Sequence, residues 1–524
     1  MLNPDTKATL QKYTEEMTKK VSLVINNDAH DKKSTLEDFL SDVASVTPKI
    51  EVIYEQAFHG ERFNTQLRSG LSFFIAVDQE STGIIFTGIP TGHEFNSLIL
   101  AILQAGGASE IKLDSSIQQL IKQQTSPLNF STFISLSCHV CPDIVQTLNQ
   151  FALLNPLIQN EMIDSQYYQA LLDEKNIHGV PTVLLNGEEC AHGKDAISEI
   201  IEQLQQKSPV IAPTSSIEKQ DIIVVGAGPA GASAAIYAAR KGLKVMVLAD
   251  TIGGQVKETQ GIENLISVAE TTGTALTGAL IHHMAQYDIT LREHVKVTAI
   301  SGDNLKTVTL SSGETIETQS VIIATGARWR ELGVPGEKTY LGSGVAYCPH
   351  CDGPFFKGKD VVVVGGGNSG VEAALDLAGI VKSVTIIEFL PDLRADQVLL
   401  DQVNARDNIN IIRNAATKEI LGEKGHVNAI QYVDRATEAV KTLPIDGVFV
   451  QIGLVPNSQW LDGIVPLTER GEIIIDEKCR TGVPGMFAAG DVTTTPYKQI
   501  IISMGEGAKA ALSAYESILL QTTS

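Results

Sequence analysis

The chain has 524 residues, more than one hydrophobic core usually organises, so we expect several domains. A formal net charge of −21 and a pI near 5.0 exclude nucleic acid as a favoured partner, because phosphate backbones would be repelled. The mean hydropathy is +0.06, and no stretch approaches the roughly 18 uninterrupted apolar residues of a membrane span, which excludes an integral membrane protein. The polar start, MLNPDTKATLQKYTEEMTKK, has no signal-peptide core, so we expect a cytoplasmic protein.

The first part of the chain alternates β-like apolar runs with amphipathic stretches. The runs include VSLVINN, IEVIYEQ, SFFIAVDQ, GIIFTGIP, FSTFISLS and PTVLLNG. This alternation predicts two small α/β units in series, which we place at residues 1–110 and 111–205. The following segment, 206–220, contains two prolines and small polar residues without periodicity, which predicts a flexible linker.

From Asp221 the pattern changes to strand, glycine turn and helix, and this pattern occurs twice. DIIVVGAGPAGASAAIYAARKGLKVMVLAD begins at Asp221, and DVVVVGGGNSGVEAALDLAGIVKSVTIIEF begins at Asp360. The late segment GMFAAGD indicates that the first dinucleotide-binding domain is completed near the C-terminus, with the second domain inserted into it. The expected boundaries are 221–331 and 457–524 for the first domain and 332–456 for the second.

Each repeat carries a G-x-G-x-x-G turn between a strand and a helix, the context that a dinucleotide site requires. Glycines let the backbone approach a pyrophosphate at a helix N-terminus, and an acidic residue roughly 20 residues further on accepts the ribose hydroxyls. Two coincidental glycine turns are the alternative, which the doubled context disfavours. The residues in question are Gly226, Gly228, Gly231 and Asp250 in the first repeat, and Gly365, Gly367, Gly370 and Glu388 in the second.

Glu388 predicts NADH rather than NADPH as the electron donor. A carboxylate accepts hydrogen bonds from the ribose hydroxyls of NADH but repels the 2′-phosphate of NADPH. The residues after Glu388 are Phe, Leu and Pro, and the first arginine after it is Arg394. The alternative is that Glu388 is merely a solvated charge at the end of a strand.

Four of the six cysteines form two C-x-x-C pairs, Cys138/Cys141 and Cys348/Cys351. In a reducing compartment such pairs are redox-active or metal-binding more often than structural. Zinc pairs normally lie about 15–20 residues apart, whereas these lie roughly 200 apart, so we predict two independent redox pairs and no metal site. A helix after the first cysteine of each pair would stabilise its thiolate.

Other cysteines and histidines are assigned lesser roles. Cys190 and Cys479 have no partner in the sequence and are interpreted as ordinary small buried or half-buried residues. His139 and His350 lie inside the two redox pairs, where they would tune the pKa of the thiols, with simple packing as the alternative.

Two sets of motifs resemble known families. Cys348-Pro349-His350-Cys351-Asp352-Gly353, Ala324-Thr325-Gly326 and Gly490-Asp491 resemble the low-molecular-weight thioredoxin reductases, over residues 221 to about 520. Cys138-His139-Val140-Cys141-Pro142 followed by Val180-Pro181-Thr182 resembles a tandem thioredoxin-fold domain. Together they are similar to the flavoprotein subunits of alkyl hydroperoxide reductases, the reductases of two-cysteine peroxiredoxins.

The resemblance implies an α/β fold class: tandem thioredoxin-like folds followed by two Rossmann-like dinucleotide-binding domains. It implies FAD and a nicotinamide as cofactors, a two-cysteine peroxiredoxin as partner, and a homodimer. Residues implied to bind FAD are Gly226, Ala227, Gly228, Pro229, Ala230, Gly231, Asp250, Gly253, Gly254, Gln255, Asn264, Ala324, Thr325, Gly326, Gly490 and Asp491. Residues implied to bind the nicotinamide dinucleotide are Gly365, Gly367, Asn368, Ser369, Gly370 and Glu388.

The resemblance also implies roles for the thiols. Cys351 would lie against the flavin, Cys348 would exchange with the next disulfide, and Asp352 would move their protons. Cys138 would be the exposed nucleophile and Cys141 the resolving thiol, with Pro181 as a cis-proline facing the pair. The first thioredoxin-like unit has no cysteine at all, so it cannot carry electrons and is interpreted as a degenerate duplicate kept for packing or partner docking.

The predicted route runs from NADH through FAD to Cys348/Cys351, then to Cys138/Cys141 and an external protein disulfide. Passing electrons along this route would require rotation of the two nucleotide domains about segments near 330–333 and 454–457. A broad disulfide reductase or an NADH oxidase remains an alternative. A redox sensor without turnover is a further alternative, although no effector module is visible in the sequence.

Overall fold

The computed structural model describes residues 2–60, 67–138, 140–177, 179–193, 196–207, 217–259, 262, 265–337, 339–341, 343–347, 349–423 and 425–522. The chain divides into two compact units, one formed by 1–204 and 332–451 and the other by 205–331 and 452–524. In the described part of the chain, no helix combines the length and the apolar character needed to cross a bilayer.

The N-terminal residues of the first unit form one mixed sheet flanked by helices. The strands are β1 (Val21–Ile25), β2 (Ile50–Tyr54), β3 (Ser72–Val77), β4 (Glu80–Thr87), β5 (Leu128–Ile134), β6 (Ile158–Asp164), β7 (Thr182–Leu185) and β8 (Glu188–His192). The helices are α1 (Pro4–Thr14), α2 (Lys33–Ala44), α3 (Phe95–Ala105), α4 (Ser115–Lys122), α5 (Cys141–Leu154), α6 (Gln169–Lys175) and α7 (Ala196–Lys207).

The two thioredoxin-like folds share this sheet, whose strand order is β2-β1-β3-β4-β6-β5-β7-β8. They are joined where β4 of the first fold pairs in parallel with β6 of the second. Arg68 of the first fold reinforces the junction by donating to both carboxylate oxygens of Glu161 on β6, at 3.0 and 2.7 Å. The degenerate fold is therefore an integral half of the domain that carries Cys138 and Cys141.

The second unit is a dinucleotide-binding fold assembled from two stretches of chain. Its first stretch contains β9 (Gln220–Ala227), α8 (Pro229–Ala239), β10 (Val245–Ile252), α9 (Gly273–Met284), β11 (Ile289–Arg292), β12 (Val297–Ser301), β13 (Lys306–Leu310), β14 (Thr315–Ile323) and β15 (Ala327–Trp329). The main sheet has the order β11-β10-β9-β14-β13-β12.

The intervening stretch, 332–451, belongs to the first unit and forms a second parallel sheet. Its elements are β16 (Val345–Ala346), α10 (Pro349–Asp352), β17 (Asp360–Val364), α11 (Asn368–Ala378), β18 (Ser383–Ile387), α12 (Gln397–Asn404), β19 (Ile409–Ile412), β20 (Ala415–Glu423), β21 (His426–Asp434), β22 (Ala439–Pro444) and β23 (Gly447–Val450). The parallel order is β16-β23-β17-β18-β19, and β20-β21-β22 form a separate antiparallel sheet.

The chain then returns to the second unit with β24 (Leu454–Pro456), β25 (Met486–Ala488) and α13 (Ile500–Thr522). β25 pairs in parallel with β14 of the main sheet, and β24 pairs with β15. Helix α13 packs closely on α8 at Gly507, where an added Cβ would collide with the backbone of Ala230. The C-terminal stretch therefore completes the sheet that begins at β9.

Candidate active site

The first glycine turn, at the end of β9, has the geometry of a pyrophosphate cradle. Gly226 has φ +107°, and a Cβ on Gly231 would collide with the carbonyl oxygen of Gly226. At Gly228, by contrast, the nearest atom to an added Cβ is the Gly253 carbonyl oxygen, 3.8 Å away. Gly228 caps α8 without a side-chain bond, so the first amides of the helix face open space.

The wall of this cradle contains buried donors that need a partner. Gly253 and Gly254 have φ +92° and +58°, and Gly254 passes close to Gly228. The Nε2 of Gln255 and the Oγ1 of Thr277 are buried without a hydrogen-bond partner among the described residues. A buried donor left unpaired is costly, so these atoms fit a site that a polar cofactor completes.

The Gly490-Asp491 segment follows β25 and lies at the N-terminus of α8. Gly490 has φ +80°, and an added Cβ would lie 2.9 Å from the Cβ of Ala230. The buried carboxylate of Glu506 accepts the Gly490 N–H at 2.9 Å, and it also accepts the hydroxyls of Thr493 and Thr495. Burial raises the pKa of Asp491, while a bond from Ser503 opposes that rise.

The remaining residues assigned to FAD lie around the same turn, except for one that falls outside the described residues. Asp250 is exposed near the end of β10, and Ala324 donates its N–H to Val225 at 2.8 Å. Thr325 donates to the carbonyl oxygen of Asn457 at 2.9 Å. Asn264 lies outside the described residues. The donors, the glycines and the helix terminus together fit the dinucleotide part of FAD.

The second glycine turn, at the end of β17, repeats this geometry in the other unit. Gly365 has φ +120°, and a Cβ on Gly370 would collide with the Gly365 carbonyl oxygen. An added Cβ on Gly367 would meet nothing within 4 Å, and Gly367 caps α11 without a side-chain bond. The side chain of Asn368 is bonded to Asp396, at 3.0 and 2.8 Å.

Glu388 is fixed within this second turn. Its carboxylate accepts the N–H of Gly366 at 2.5 Å and the N–H of Leu390 at 2.7 Å, and the residue is buried. The alternative of a solvated strand-end charge is therefore wrong. The backbone bonds hold the Glu388 side chain against the turn where a dinucleotide ribose would lie.

Sequence reasoning missed a cation that contacts Phe389, the residue after Glu388. The Arg435 guanidinium lies 3.9 Å from the ring centroid of Phe389, the residue after Glu388, and donates to the Phe389 carbonyl oxygen at 2.8 Å. Arg435 lies on the connection between β21 and β22, so no pattern near Glu388 could have revealed it.

The Cys138/Cys141 pair lies at the start of α5 and forms a disulfide with a Cα–Cα distance of 5.6 Å. The Cys141 N–H donates to the Sγ of Cys138 at 3.3 Å. The Val180–Pro181 peptide bond is cis. The helix N-terminus would lower the free energy of a thiolate formed at this position.

The expectation that Cys138 is exposed is wrong for this structure, because both cysteines are fully buried. Phe355, which follows the second C-x-x-C motif, packs against the apolar cluster that contains both cysteines. The Asp352 carboxyl accepts a backbone hydrogen bond from Val180, beside the cis-proline. The segment after Cys351 therefore packs against the apolar cluster in which both cysteines are buried.

Asp352 combines this contact with a shifted pKa. Burial raises the pKa of Asp352 to about 7, while the bond from Val180 and the nearby His192 oppose the rise. The hydrogen bond to Glu189 raises the pKa of His192, and the nearby Asp352 adds to this rise, while burial of the imidazole opposes it. Cys348 and His139 lie outside the described residues, as do the side chains of His350 and Cys351.

A second titratable group, missed from the sequence, comes from the degenerate fold. Glu94 is fully buried, neither of its carboxyl oxygens has a hydrogen-bond partner among the described residues, and burial raises its pKa to about 8, a rise that the nearby Ser97 hydroxyl opposes. Its loop is joined to the segment before Cys138 by the bond from the His93 N–H to the Leu136 carbonyl oxygen, at 3.2 Å. Asp143, two residues after Cys141, lies close enough to raise its pKa further. The glutamate therefore lies between the two segments that flank the disulfide.

Cys190 is half-buried and Cys479 is buried, as the sequence indicated. Burial raises the pKa of the Cys479 thiol to about 12, which leaves it unreactive at neutral pH.

Comparisons with known proteins agree with this site. Residues 220–507 match the pyridine nucleotide-disulphide oxidoreductase family, and residues 129–206 match a thioredoxin domain. An alkyl hydroperoxide reductase F subunit of Staphylococcus aureus (strain NCTC 8325 / PS 47) is 47% identical over 520 residues, covering 99% of this chain and 100% of the relative. An NADH dehydrogenase of Ferdinandcohnia aciditolerans is 46% identical over 526 residues, covering 100% of this chain and 98% of the relative.

Among solved structures, the thioredoxin reductase of T. acidophilum is similar, with a TM-score of 0.55 and 40% identity over 58% of this chain and all of that one. The described site and these matches lead to one conclusion. The chain belongs to the pyridine nucleotide-disulphide oxidoreductase family, and it is an FAD- and nicotinamide-dependent disulfide oxidoreductase of the kind found as the F subunit of alkyl hydroperoxide reductases.

Proposed function

We propose that this enzyme is the NADH-dependent reductase of a two-cysteine peroxiredoxin, and that its two C-x-x-C pairs act in series. The observation that carries the proposal is the contact between the two redox motifs. Asp352, next to Cys351, accepts a hydrogen bond from Val180, the residue before the cis-proline Pro181. This contact joins the segment that follows one cysteine pair to the segment that holds the cis-proline, which supports direct disulfide exchange between the two pairs.

Bound FAD would accept a hydride from NADH and supply two electrons to the Cys348–Cys351 disulfide. The thiolate of Cys348 then attacks the Cys138–Cys141 disulfide and forms a mixed disulfide. Cys351 attacks the Cys348 sulfur, re-forms its own disulfide and releases the arm as a dithiol. Asp352, with a pKa of about 7, can give and take the protons at this contact.

The reduced arm would pass its electrons outward by the same chemistry. Cys138 attacks the disulfide of the partner, and Cys141 resolves the mixed disulfide, which leaves the partner as a dithiol. Cys138 is buried under the segment after Cys351, so the arm must leave that segment before it can meet a partner. Helix α7 ends at Lys207 and β9 begins at Gln220, so the linker is shorter than the predicted 206–220, and its prolines and small polar residues suit such a movement.

NADH is the proposed donor because Glu388 places a fixed carboxylate at the second glycine turn. The proposed partner is supported by the Staphylococcus aureus relative, which is named as a subunit of an alkyl hydroperoxide reductase. A cytoplasmic location and a homodimer complete the proposal. A general disulfide reductase or an NADH oxidase is the alternative that the experiment must separate.

The experiment follows NADH consumption by the purified protein with a two-cysteine peroxiredoxin and a hydroperoxide. Cys138→Ser with Cys141→Ser should abolish peroxiredoxin reduction and leave reduction of the flavin by NADH intact. Cys348→Ser with Cys351→Ser should stop both thiol steps, and Cys190→Ser, outside both pairs, should change neither. Peroxiredoxin reduction that persists without Cys138 and Cys141 would refute the relay order.

A further inference from the structure

A buried carboxylate connects the chain crossing before the nicotinamide domain to the residue before Cys348. Glu337 is 1% exposed and accepts the N–H groups of Leu332 and Gly333, at 2.7 and 2.6 Å. The same carboxylate accepts the hydroxyl of Tyr347 at 2.8 Å. Leu332 is the first residue of the stretch that belongs to the first unit, so Glu337 joins this crossing to Tyr347.

The second crossing is joined to the same tyrosine from the other side. Gln451 is 4% exposed and is the last residue before the chain returns to the other unit. Its side-chain amide donates to the backbone carbonyl oxygen of Tyr347 at 2.9 Å. Tyr347 is therefore held at its hydroxyl by the first crossing and at its carbonyl by the second.

Within the other unit the continuations of these crossings also lie side by side. β15 pairs in antiparallel fashion with β24, and the Arg330 N–H donates to the Gly453 carbonyl oxygen at 2.8 Å. The two crossing segments are thus connected twice: through Tyr347 within the nicotinamide domain, and through the β15–β24 pairing in the other unit.

We propose that Tyr347 is a positioning residue for Cys348, its neighbour in the chain, and that it couples this cysteine to both crossings. Cys348 is bonded covalently to Tyr347, so it follows any movement of that residue. The bonds of Glu337 and Gln451 confine Tyr347, so a movement at either crossing is passed to Tyr347 and, through the peptide bond, to Cys348. Without these bonds, the disulfide would sample positions from which electron transfer is unproductive.

The inference rests on the proposed function only in taking Cys348–Cys351 as the first disulfide to be reduced. It can be tested in the Cys138→Ser/Cys141→Ser background, where the arm carries no electrons. Tyr347→Phe is introduced there, and NADH is added in excess without oxygen. The readout is the rate at which the two thiols of Cys348 and Cys351 appear, followed by alkylation and mass measurement. Failure of the relay to the arm would not alter this readout.

Tyr347→Phe removes one hydrogen bond to a buried charge, and we expect thiol formation to slow about tenfold. Hydride transfer from NADH, measured by transhydrogenation to an oxidised nicotinamide analogue, should stay within about twofold of the parent rate. Gln451→Met, measured at saturating NADH, should slow thiol formation alone in the same way. Tyr340→Phe is the matched control, because the structure gives its hydroxyl no hydrogen bond among the described residues, and it should leave both rates unchanged.

Selective slowing of thiol formation in both variants supports the positioning role. The proposal is overturned if neither variant slows thiol formation more than Tyr340→Phe does. It is equally overturned if hydride transfer falls in parallel with thiol formation, because that outcome reports general damage to the fold.

Discussion

Replacing Glu94 by glutamine should stabilise the protein in a pH-dependent way. Burial raises the pKa of Glu94 from an ordinary value of 4.5 to about 8, so the folded state keeps it neutral where the unfolded state ionises it. Glu94 therefore costs no unfolding free energy below pH 4.5, and the destabilisation that it causes grows as the pH rises towards 8. At pH 7 the cost is about 3 kcal/mol, since each unit of pKa is worth about 1.4 kcal/mol.

A glutamine at this position never ionises and should escape this cost. The gain in unfolding free energy of Glu94→Gln over the parent should be near zero at pH 4.5 and rise to at most about 3 kcal/mol at pH 7. The assay is thermal or denaturant unfolding of both proteins at several pH values. Glu80→Gln, an exposed glutamate on the same fold, is the control and should show no such trend.

The same substitution should slow the chemistry of the arm. When the Cys138–Cys141 disulfide is opened, one sulfur leaves as a thiolate and needs a proton, which a neutral Glu94 between the flanking segments can supply. A positioned acid typically contributes about 100-fold or more, so reduction of a partner disulfide should slow by roughly that factor. The inflection near pH 8 in the parent rate should disappear. A variant with a parent-like rate and pH profile, or with no gain in stability at neutral pH, would refute this reasoning.

Three further predictions follow from the described sites. The kcat/KM for NADH should exceed that for NADPH, and Glu388→Arg should reduce the ratio of these two values. Comparable kcat/KM values for the two cofactors in the parent enzyme would falsify the assignment of Glu388. Gly231→Ala should lose FAD and unfold more easily, because the added Cβ would collide with the Gly226 carbonyl oxygen. At Gly278 an added Cβ meets nothing within 4 Å, so Gly278→Ala should keep FAD and gain up to about 1 kcal/mol of helix stability. Equal flavin content in the two purified variants would contradict this prediction. Asp352→Asn should slow transfer between the two cysteine pairs by roughly 10-fold to 100-fold and remove a pH dependence centred near 7, and stopped-flow thiol measurements that show an unchanged profile would exclude a proton-transfer role.

The sequence by itself determined the features that depend on local chemistry. Gly226 and Gly365 both have a positive φ, a backbone conformation that glycine tolerates better than any other residue. The sequence places each of them between an apolar strand and a helix, which is the pattern of a dinucleotide-binding turn. The two cysteine pairs were recognisable because the C-x-x-C spacing is a local property. The family assignment rests on these local motifs, and the comparisons confirmed it.

Only the tertiary structure decided what depends on residues far apart in the chain. Glu94 belongs to a fold without cysteines and lies near Asp143, two residues after Cys141, while Arg435 approaches Phe389 from a distant connection. Neither residue leaves a pattern in the sequence around the group that it influences. Phe355, from the nicotinamide domain, packs against the cluster in which Cys138 is buried, although more than 200 residues separate the two in the chain. Burial and charge set a pKa through every group packed nearby, whichever part of the chain supplies it, and the sequence order of those groups does not disclose which of them meet.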